Sequence, residues 1–419
     1  MILTNALSSL STQPIKVWVL APHLESDDPN LEHYYDFSQS IREYETAFNG
    51  LGITWAWQQV TVKTFRSVIE AIDHERKVGT VTPVVFNLCD GDEVNGTPGI
   101  SVVQLLDQKG LIYTGSDEFF YRITTSKIPM KRAFDKAGVP TAPWVPILSS
   151  DAALDTIFEK LGAPVILKPS VSAGSMGVGV KNVVSTPHDL REQVAKMFAG
   201  YRGWDLAADG LIAEAFVNGP EFTVLITGSY NNPRDAKIYD PVERVFHASL
   251  PDQEKFLSFD RLWEIYEDEK PMPDAGNFYE YGRPKAGLIE EIKKICWDAY
   301  VATRGCGYTR VDIRMDSKTG KLSEPELAAE MGSPLACPPG RTTTSVVFSC
   351  STCTSSSGGS TEAPGRIRGS SVIVAAFRRH QRVVGIVSGS MLVVFGVMLA
   401  SGYLTRLTAG LARFGGVQI

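Results

Sequence analysis

The chain has 419 residues, 43% of them hydrophobic, and a formal net charge of −6. At ~150 residues per domain, that length holds two or three domains with real cores. The acidic balance and the lack of a basic stripe interleaved with aromatics exclude a general nucleic-acid binder. Six cysteines in so long a chain exclude a disulfide scaffold. Cys89, Cys296 and Cys306 lie in or beside apolar segments and read as reduced core thiols. Cys350-Ser-Thr-Cys353 has neither the second pair nor the nearby His that a zinc site needs. Residues 1–14 lack an apolar h-region, so no secretory leader is expected.

Residues 1–115 are expected to form a first domain, in which residues 15–115 alternate short apolar runs with helical periods. Strands are predicted over Ile15–Ala21, Ile53–Val62 and Val81–Leu88, with helices over Tyr35–Leu51 and Phe65–His74. That β-α-β-α-β rhythm predicts a parallel sheet with helices on its faces. Ligands then gather at the carboxyl ends of the strands, in the loops after Ala21 and Leu88.

Residues 116–205 form a second unit. Ser126 is placed to cap a helix over Lys127–Ala137, which Gly138 ends. Thr186-Pro187-His188-Asp189 offers a cap, a proline at the first helical position and an acid at the third, predicting a helix to about Phe198. Between these helices runs Val165-Ile-Leu-Lys-Pro-Ser-Val-Ser-Ala-Gly-Ser-Met-Gly-Val-Gly179. An apolar run ends in Lys168, and small residues follow. Small residues let backbone N–H groups approach a polyanion, and the lysine adds a point charge. The natural reading is a phosphate clamp between two strands, although a plain glycine hairpin fits the same pattern. It is not a P-loop, because no Gly-Lys-Ser/Thr closes it.

Residues 206–331 form a third unit. Strands over Leu211–Ala215 and Phe222–Thr227 are joined through Asn218-Gly219-Pro220. A long amphipathic helix is predicted over Pro284–Arg304. Tyr308–Met315 and Lys321–Glu326 flank a turn, giving an antiparallel hairpin. Arg310 and Asp312 alternate around Val311 and therefore share a face. Glu326, on the paired strand, can join them. Residues 332–377 are rich in Gly, Pro, Ser and Thr and predict a disordered linker. In residues 378–419, a basic cluster precedes Val383–Leu404, which holds no charge and is long enough to cross a bilayer. The cluster would keep its own side cytoplasmic. A buried helix is the alternative.

The chemistry lies in the order of these pieces. Lys127 and Lys168 supply two cations. Glu214-Ala-Phe-Val217 offers an acid and backbone groups that suit an adenine, and Glu221 could hold ribose hydroxyls. An arginine beside carboxylates that bind Mg²⁺ is what phosphoryl transfer needs. Each residue also has a plainer reading: a surface charge for Lys127, solvent-facing strand positions for Glu214 and Glu221, and a surface ion pair for Arg310 and Asp312.

The chain resembles the ATP-grasp ligases, most closely the D-alanine–D-alanine ligase group, from about residue 80 to 326 and more weakly from residue 15. The resemblance is carried by Phe86-Asn87-Leu88, Asn95-Gly96-Thr97-Pro98-Gly99 and Tyr113-Thr114-Gly115-Ser116. It continues in Ser126-Lys127, Ala137-Gly138-Val139-Pro140-Thr141, Lys168-Pro169-Ser170, Gly219-Pro220-Glu221-Phe222-Thr223-Val224 and Arg310-Val311-Asp312. It implies an α/β ATP-grasp architecture, with a parallel N-terminal domain and smaller α+β central and C-terminal domains, here truncated. It implies that Lys127 and Lys168 contact ATP. The flap Ser172, Ala173, Gly174, Ser175, Met176 and Gly177 would close over the phosphates. Glu214, Phe216 and Val217 would form the adenine hinge, and Glu221 would hold the ribose. Asp312 and Glu326 would bind Mg²⁺ (or Mn²⁺), and Arg310 would stabilise the transferred phosphoryl group. The implied reaction joins a carboxylate to an amine through an acyl phosphate, on small amino-acid or peptide substrates, in the cytoplasm. The group also suggests a homodimer.

The departures are specific. Asp90 stands where the family usually has a His in the loop after the third strand. Asp36 and Ser38 are the residues available at the start of the first helix to grip a first amino acid. The metal motif, usually Glu-x-Asn, reads Glu326-Leu327-Ala328. Two other readings therefore accompany the ligase: a degenerate ATP-grasp protein that binds nucleotide without turnover, and a membrane-tethered interaction module.

Overall fold

The computed structural model describes residues 13–25, 37–172, 174–273 and 276–328. The expected linker 332–377 and apolar helix 383–404 lie outside the described residues. Among the described residues no helix is long and apolar enough to cross a membrane.

The first sheet contains β1 (Ile15–Pro22), β2 (Thr54–Val60), β3 (Thr82–Asn87) and β4 (Ile112–Tyr113), in the order β2-β1-β3-β4. All its pairings are parallel, as the alternating rhythm predicted. Helix α1 (Ser38–Gly50) covers one face, where Phe48 meets Val17, Val19 and Leu88. Helices α2 (Phe65–Val78) and α3 (Ile100–Lys109) cover the other, burying Ile69, Ile72, Val102 and Leu106 against Leu20 and Val85. Parallel strands need both faces covered, and the apolar runs reflect that. Residues 100–109 carry no strong helix-start signal. The side chain of Glu93 supplies one from a distance, accepting from the N–H groups of Gly99 and Ser101 at 3.2 and 2.7 Å.

Helices α4 (Glu118–Thr125) and α5 (Lys127–Ala137) follow. The central sheet holds β5 (Trp144–Ile147), β6 (Val165–Pro169), β7 (Val183–Val184) and β8 (Leu211–Ala215), in the order β5-β8-β6-β7 and wholly antiparallel. Helices α6 (Ile157–Leu161) and α7 (Pro187–Phe198) cover its outer face. Helix α7 starts as predicted, with Thr186 accepting from the Asp189 N–H. Strand β8, grouped by sequence with the third unit, instead hydrogen-bonds to β5 and β6. The Asn218-Gly-Pro220 link crosses between sheets rather than turning within one.

The third sheet contains β9 (Glu221–Ser229), β10 (Asn232–Ile238), β11 (Val242–Phe246), β12 (Tyr279–Gly282), β13 (Cys306–Met315) and β14 (Leu322–Ala328). Its order is β12-β11-β9-β13-β14, with β10 also on β9. A four-residue helix α8 (Phe259–Leu262) lies in the β11–β12 connection, and α9 (Ile289–Ala302) precedes β13. The core under this sheet joins Phe222, Val224, Ile226, Val311 and Ile313 to Ile292, Cys296 and Tyr300 of α9. Phe120 of α4 and Met130 and Phe134 of α5 complete it. Helix α5 is thus fixed by its apolar face to the third sheet, while its other face is free to meet the central one.

Candidate active site

Strand alternation sorts β6 and β8 into two faces. Val165, Leu167, Leu211 and Ala213 enter the core under α7. Ile166, Lys168, Ile212 and Glu214 therefore face the other way. Glu214 is fully buried, and its carboxylate pairs with Lys168 Nζ at 2.8 Å and with Lys131 Nζ of α5. Lys131 also donates to Thr141 Oγ1 at 2.8 Å. Lys131 lies four residues after Lys127 and hence on the same helical face, the one signal in the sequence that points to it. Glu214, expected as an adenine-side acid, holds two lysines in place. A buried carboxylate is tolerable only when paired in this way.

Lys127 Nζ lies 3.4 Å from Ser172 Oγ, at the start of the flap. The small-residue loop leaves β6 and returns through β7, so it does run between two strands. Its base is tied to α5: the Lys127 N–H donates to Ser170 O at 2.8 Å, and the Ser126 hydroxyl lies 2.9 Å from that of Ser170. Ser126 occupies the cap position of α5 but makes no capping bond. Its hydroxyl serves the flap base instead, together with Asp209. Gly177 has φ +72°, and a Cβ there would come within 2.8 Å of Leu206 Cδ1 and 3.0 Å of Pro169 Cγ, so only glycine fits. Gly174 and Ser175 also have positive φ. Ala173 lies outside the described residues. Phe216 and Val217 follow β8, with the Phe216 N–H on Pro164 O at 3.1 Å.

The third sheet presents a polar face whose alternation opposes its core. Register sets Arg244, Glu221 and Arg314 side by side across β11, β9 and β13. Glu221 pairs with Arg244, and with Arg314 Nη1 at 3.2 Å. Asp312 lies next along, opposite Thr223 and Glu326. Arg310 Nε is 3.3 Å and Arg244 Nη2 3.9 Å from Asp312 Oδ1. The strand of Glu326 is described, its side chain is not. Arg314 was legible as the next step of the Arg310-x-Asp312 alternation. Arg244 had no local signal, because only the sheet order brings β11 to Glu221.

The two faces meet through Arg314, whose guanidinium lies 5.6 Å over the Phe216 ring. Lys127, Lys131, Lys168, Arg244, Arg310 and Arg314 thus stand with Glu214, Asp209, Glu221 and Asp312, and cations outnumber anions. Among the described residues, Thr223 Oγ1 and Asp312 Oδ1 are buried without a hydrogen-bond partner. They oppose each other in register. A buried hydroxyl with no hydrogen bond, beside a carboxylate oxygen that has only ion-pair contacts to Arg310 and Arg244 on a face rich in arginine, fits a group bearing both metal and phosphate.

A family model described as "D-ala D-ala ligase C-terminus" matches residues 133–348. The D-alanine–D-alanine ligase of Halorhodospira halophila (strain DSM 244 / SL1) is 28% identical over 217 residues, 52% of this chain and 60% of that protein. The chain spans about three-fifths of the length of the curated relatives it matches. The L-amino acid ligase from Bacillus licheniformis superposes with TM-score 0.50 at 14% identity, over 77% of this chain and 68% of that one. The VanG D-Ala:D-Ser ligase from Enterococcus faecalis gives TM-score 0.50 at 14% identity, over 76% and 90%. At such identity these two likenesses carry the fold alone, a mixed α/β architecture of parallel and antiparallel sheets. With the family model covering just over half of its residues, the chain belongs to the D-ala D-ala ligase C-terminus family.

Proposed function

We propose that the protein is an ATP-dependent ligase that joins a carboxylate to an amine through an acyl phosphate, with small amino acids or a peptide as substrates. The observation that carries the reading is the facing of a lysine–flap cluster and an arginine–carboxylate cluster across the Phe216–Arg314 contact. Relatives named as D-alanine–D-alanine ligases support amide-bond formation as the chemistry.

In this reading Lys127 and Lys168 hold phosphate oxygens, and the flap Ser172–Gly177 encloses them with backbone N–H groups. Phe216 and Val217 would line the base side, and Glu221 would hold the ribose. Asp312, with Glu326, would hold Mg²⁺, which supplies charge neutralisation on the phosphoryl oxygens. Arg310, 3.3 Å from Asp312, stabilises the group in transfer. A substrate carboxylate attacks the γ-phosphorus, and the bond to the bridging oxygen breaks as ADP leaves. The amine then attacks the acyl carbon, phosphate departs and the amine loses a proton. Positioning and charge neutralisation supply the acceleration. ATP supply suits a cytoplasmic setting.

A second reading, nucleotide binding without turnover, is favoured by Ala328 at the position where the family's metal motif has Asn. ADP release from the full chain with Mg-ATP and single amino acids decides between them. Amino-acid-dependent ADP release, abolished in Asp312→Asn, supports the ligase. Nucleotide-dependent thermal stabilisation with no ADP across the panel supports the second reading.

A further inference from the structure

The loop after β3 is a folded finger. Gly91 and Gly99 form an isolated bridge, and the Gly91 N–H donates to Pro98 O at 2.9 Å. The Glu93 N–H donates to Thr97 O at 3.0 Å, while the Glu93 carboxylate holds the start of α3. From α4, the Tyr121 hydroxyl donates to Gly91 O at 2.5 Å. At the tip, Gly96 has φ +87°, and a Cβ there would come within 2.9 Å of Leu24 Cδ1, in the loop after β1. The finger therefore stands on the carboxyl edge of the first sheet, with Asn95 at its end.

Asn95 reaches across to the connection between α7 and β8. Its side-chain oxygen accepts from the Asp205 N–H at 2.8 Å, and its side-chain nitrogen lies 3.5 Å from Asp205 O. One amide thus meets both backbone groups of a single residue 110 positions along the chain, as a neighbouring strand would. Asp92 fixes that amide, accepting from the Asn95 N–H and from its side chain at 3.0 Å each. The residues after Asp205 lead to the nucleotide side. The Asp205 carboxylate accepts from the Ala207 N–H at 3.0 Å. Leu206 is buried and borders Gly177 of the flap. Asp209 accepts from the Ser126 hydroxyl, next to Lys127, and lies 3.5 Å from that of Ser170. Residues 205–209 therefore join the edge of the first domain to the base of the small-residue loop.

We infer that Asn95 is a positioning residue: it latches the first domain to the central sheet and couples the substrate side of the cleft to the nucleotide side. The inference rests on the ATP reading above. In that reading a carboxylate at the edge of the first sheet attacks a phosphate held by the central sheet. Reacting atoms must come within about 3–3.5 Å in line, so the two bodies that carry them need a fixed spacing. Both bonds of the latch are exposed to water, and such bonds are individually weak. The latch therefore opens for entry and closes again without a large barrier. A ligand that favours the closed latch from one side favours it for the other side too.

The experiment uses the full chain, amide hydrogen exchange and Mg-AMP-PNP, a nucleotide that is not hydrolysed. In wild type the nucleotide should slow exchange about tenfold both in residues 201–210 and in the finger, residues 90–99. Asn95→Ala should bind it within about twofold of wild type and still protect 201–210, while the finger no longer responds. Asn95→Asp, which keeps the shape and the oxygen that accepts from the Asp205 N–H, should restore part of the response. Melting temperatures of both variants check folding. In turnover, with the amino acid that gives most ADP release, Asn95→Ala should lower kcat about three- to tenfold and leave KM for Mg-ATP within about twofold. A finger that responds equally in wild type and Asn95→Ala overturns the inference, as does a wild-type finger indifferent to bound nucleotide. A wild-type chain that does not bind Mg-AMP-PNP overturns the ATP reading itself.

Discussion

The guanidinium of Arg314 lies 5.6 Å over the ring of Phe216. It also donates to Glu221 at 3.2 Å and to Gly219 O at 3.2 Å. With a further bond to Lys255 O at 2.8 Å, one planar cation fixes the end of the central sheet, the start of β9 and the β11–β12 connection. A lysine cannot reproduce that fork. Arg314→Lys should weaken Mg-ATP about five- to twentyfold while keeping the charge. Calorimetric titration checks this, and unchanged affinity would mean the fork has no part in shaping the cleft.

Glu214 pairs with both Lys131 and Lys168, and it is fully buried. Removing it leaves two cations near each other without their carboxylate. Glu214→Ala should cost about 3–5 kcal/mol of stability, as for other broken buried pairs. Denaturant unfolding of the two proteins measures the difference. A loss below about 1 kcal/mol would show that the lysines find water or another partner.

The β13–β14 turn is held by Asp316. Its carboxylate accepts from the N–H and hydroxyl of Thr319 at 2.7 and 2.9 Å and from the Lys318 N–H at 3.0 Å. These bonds, the Thr319 N–H first, hold its pKa below the usual carboxylate value. The folded state thus prefers the charged form more than the unfolded state does. The resulting stability is fully present above the ordinary aspartate pKa and is lost as pH falls through the lowered one. Asp316→Asn should lie below wild type at neutral pH, by under about 1 kcal/mol for so exposed a group. The two stability curves should converge in acid. A constant gap down to pH 2 would contradict the assignment.

The described thiols are predicted to be inert. Burial pushes Cys306 up to about 11, with Asp117 adding to the rise, and drives Cys89 well above its ordinary value. Cys296 is raised by burial as well. Reactivity follows the thiolate, which is scarce at pH 8 for such groups. Alkylation at pH 8 followed by peptide mass mapping should find all three unmodified in the native chain and modified in denaturant. Rapid native labelling of Cys306, which is half-buried, would show the start of β13 opening.

Local pattern was enough for the elements that carry their own signals. Helix α5 stops where predicted because Gly138 takes the left-handed conformation at its end, and α7 starts where predicted because Thr186 caps it and Pro187 opens it. The parallel first sheet followed from hydrophobic period, and the final hairpin from the turn Asp316–Gly320 between two strand patterns. The shared face of Arg310 and Asp312 followed from strand alternation, a property of the backbone.

What lies between distant segments was not legible. The sequence by itself determined which side chains carry charge, where the small-residue flap runs and which strand positions share a face. Only the tertiary structure decided that Arg244 stands beside Glu221, that Lys131 joins Lys168 on Glu214, that Leu211–Ala215 belongs to the central sheet, and that Asn95 meets the backbone of Asp205. The physical reason is that each of these depends on sheet order or on a crossing between sheets. Those are set by how whole apolar faces are buried together, which no short window of sequence records.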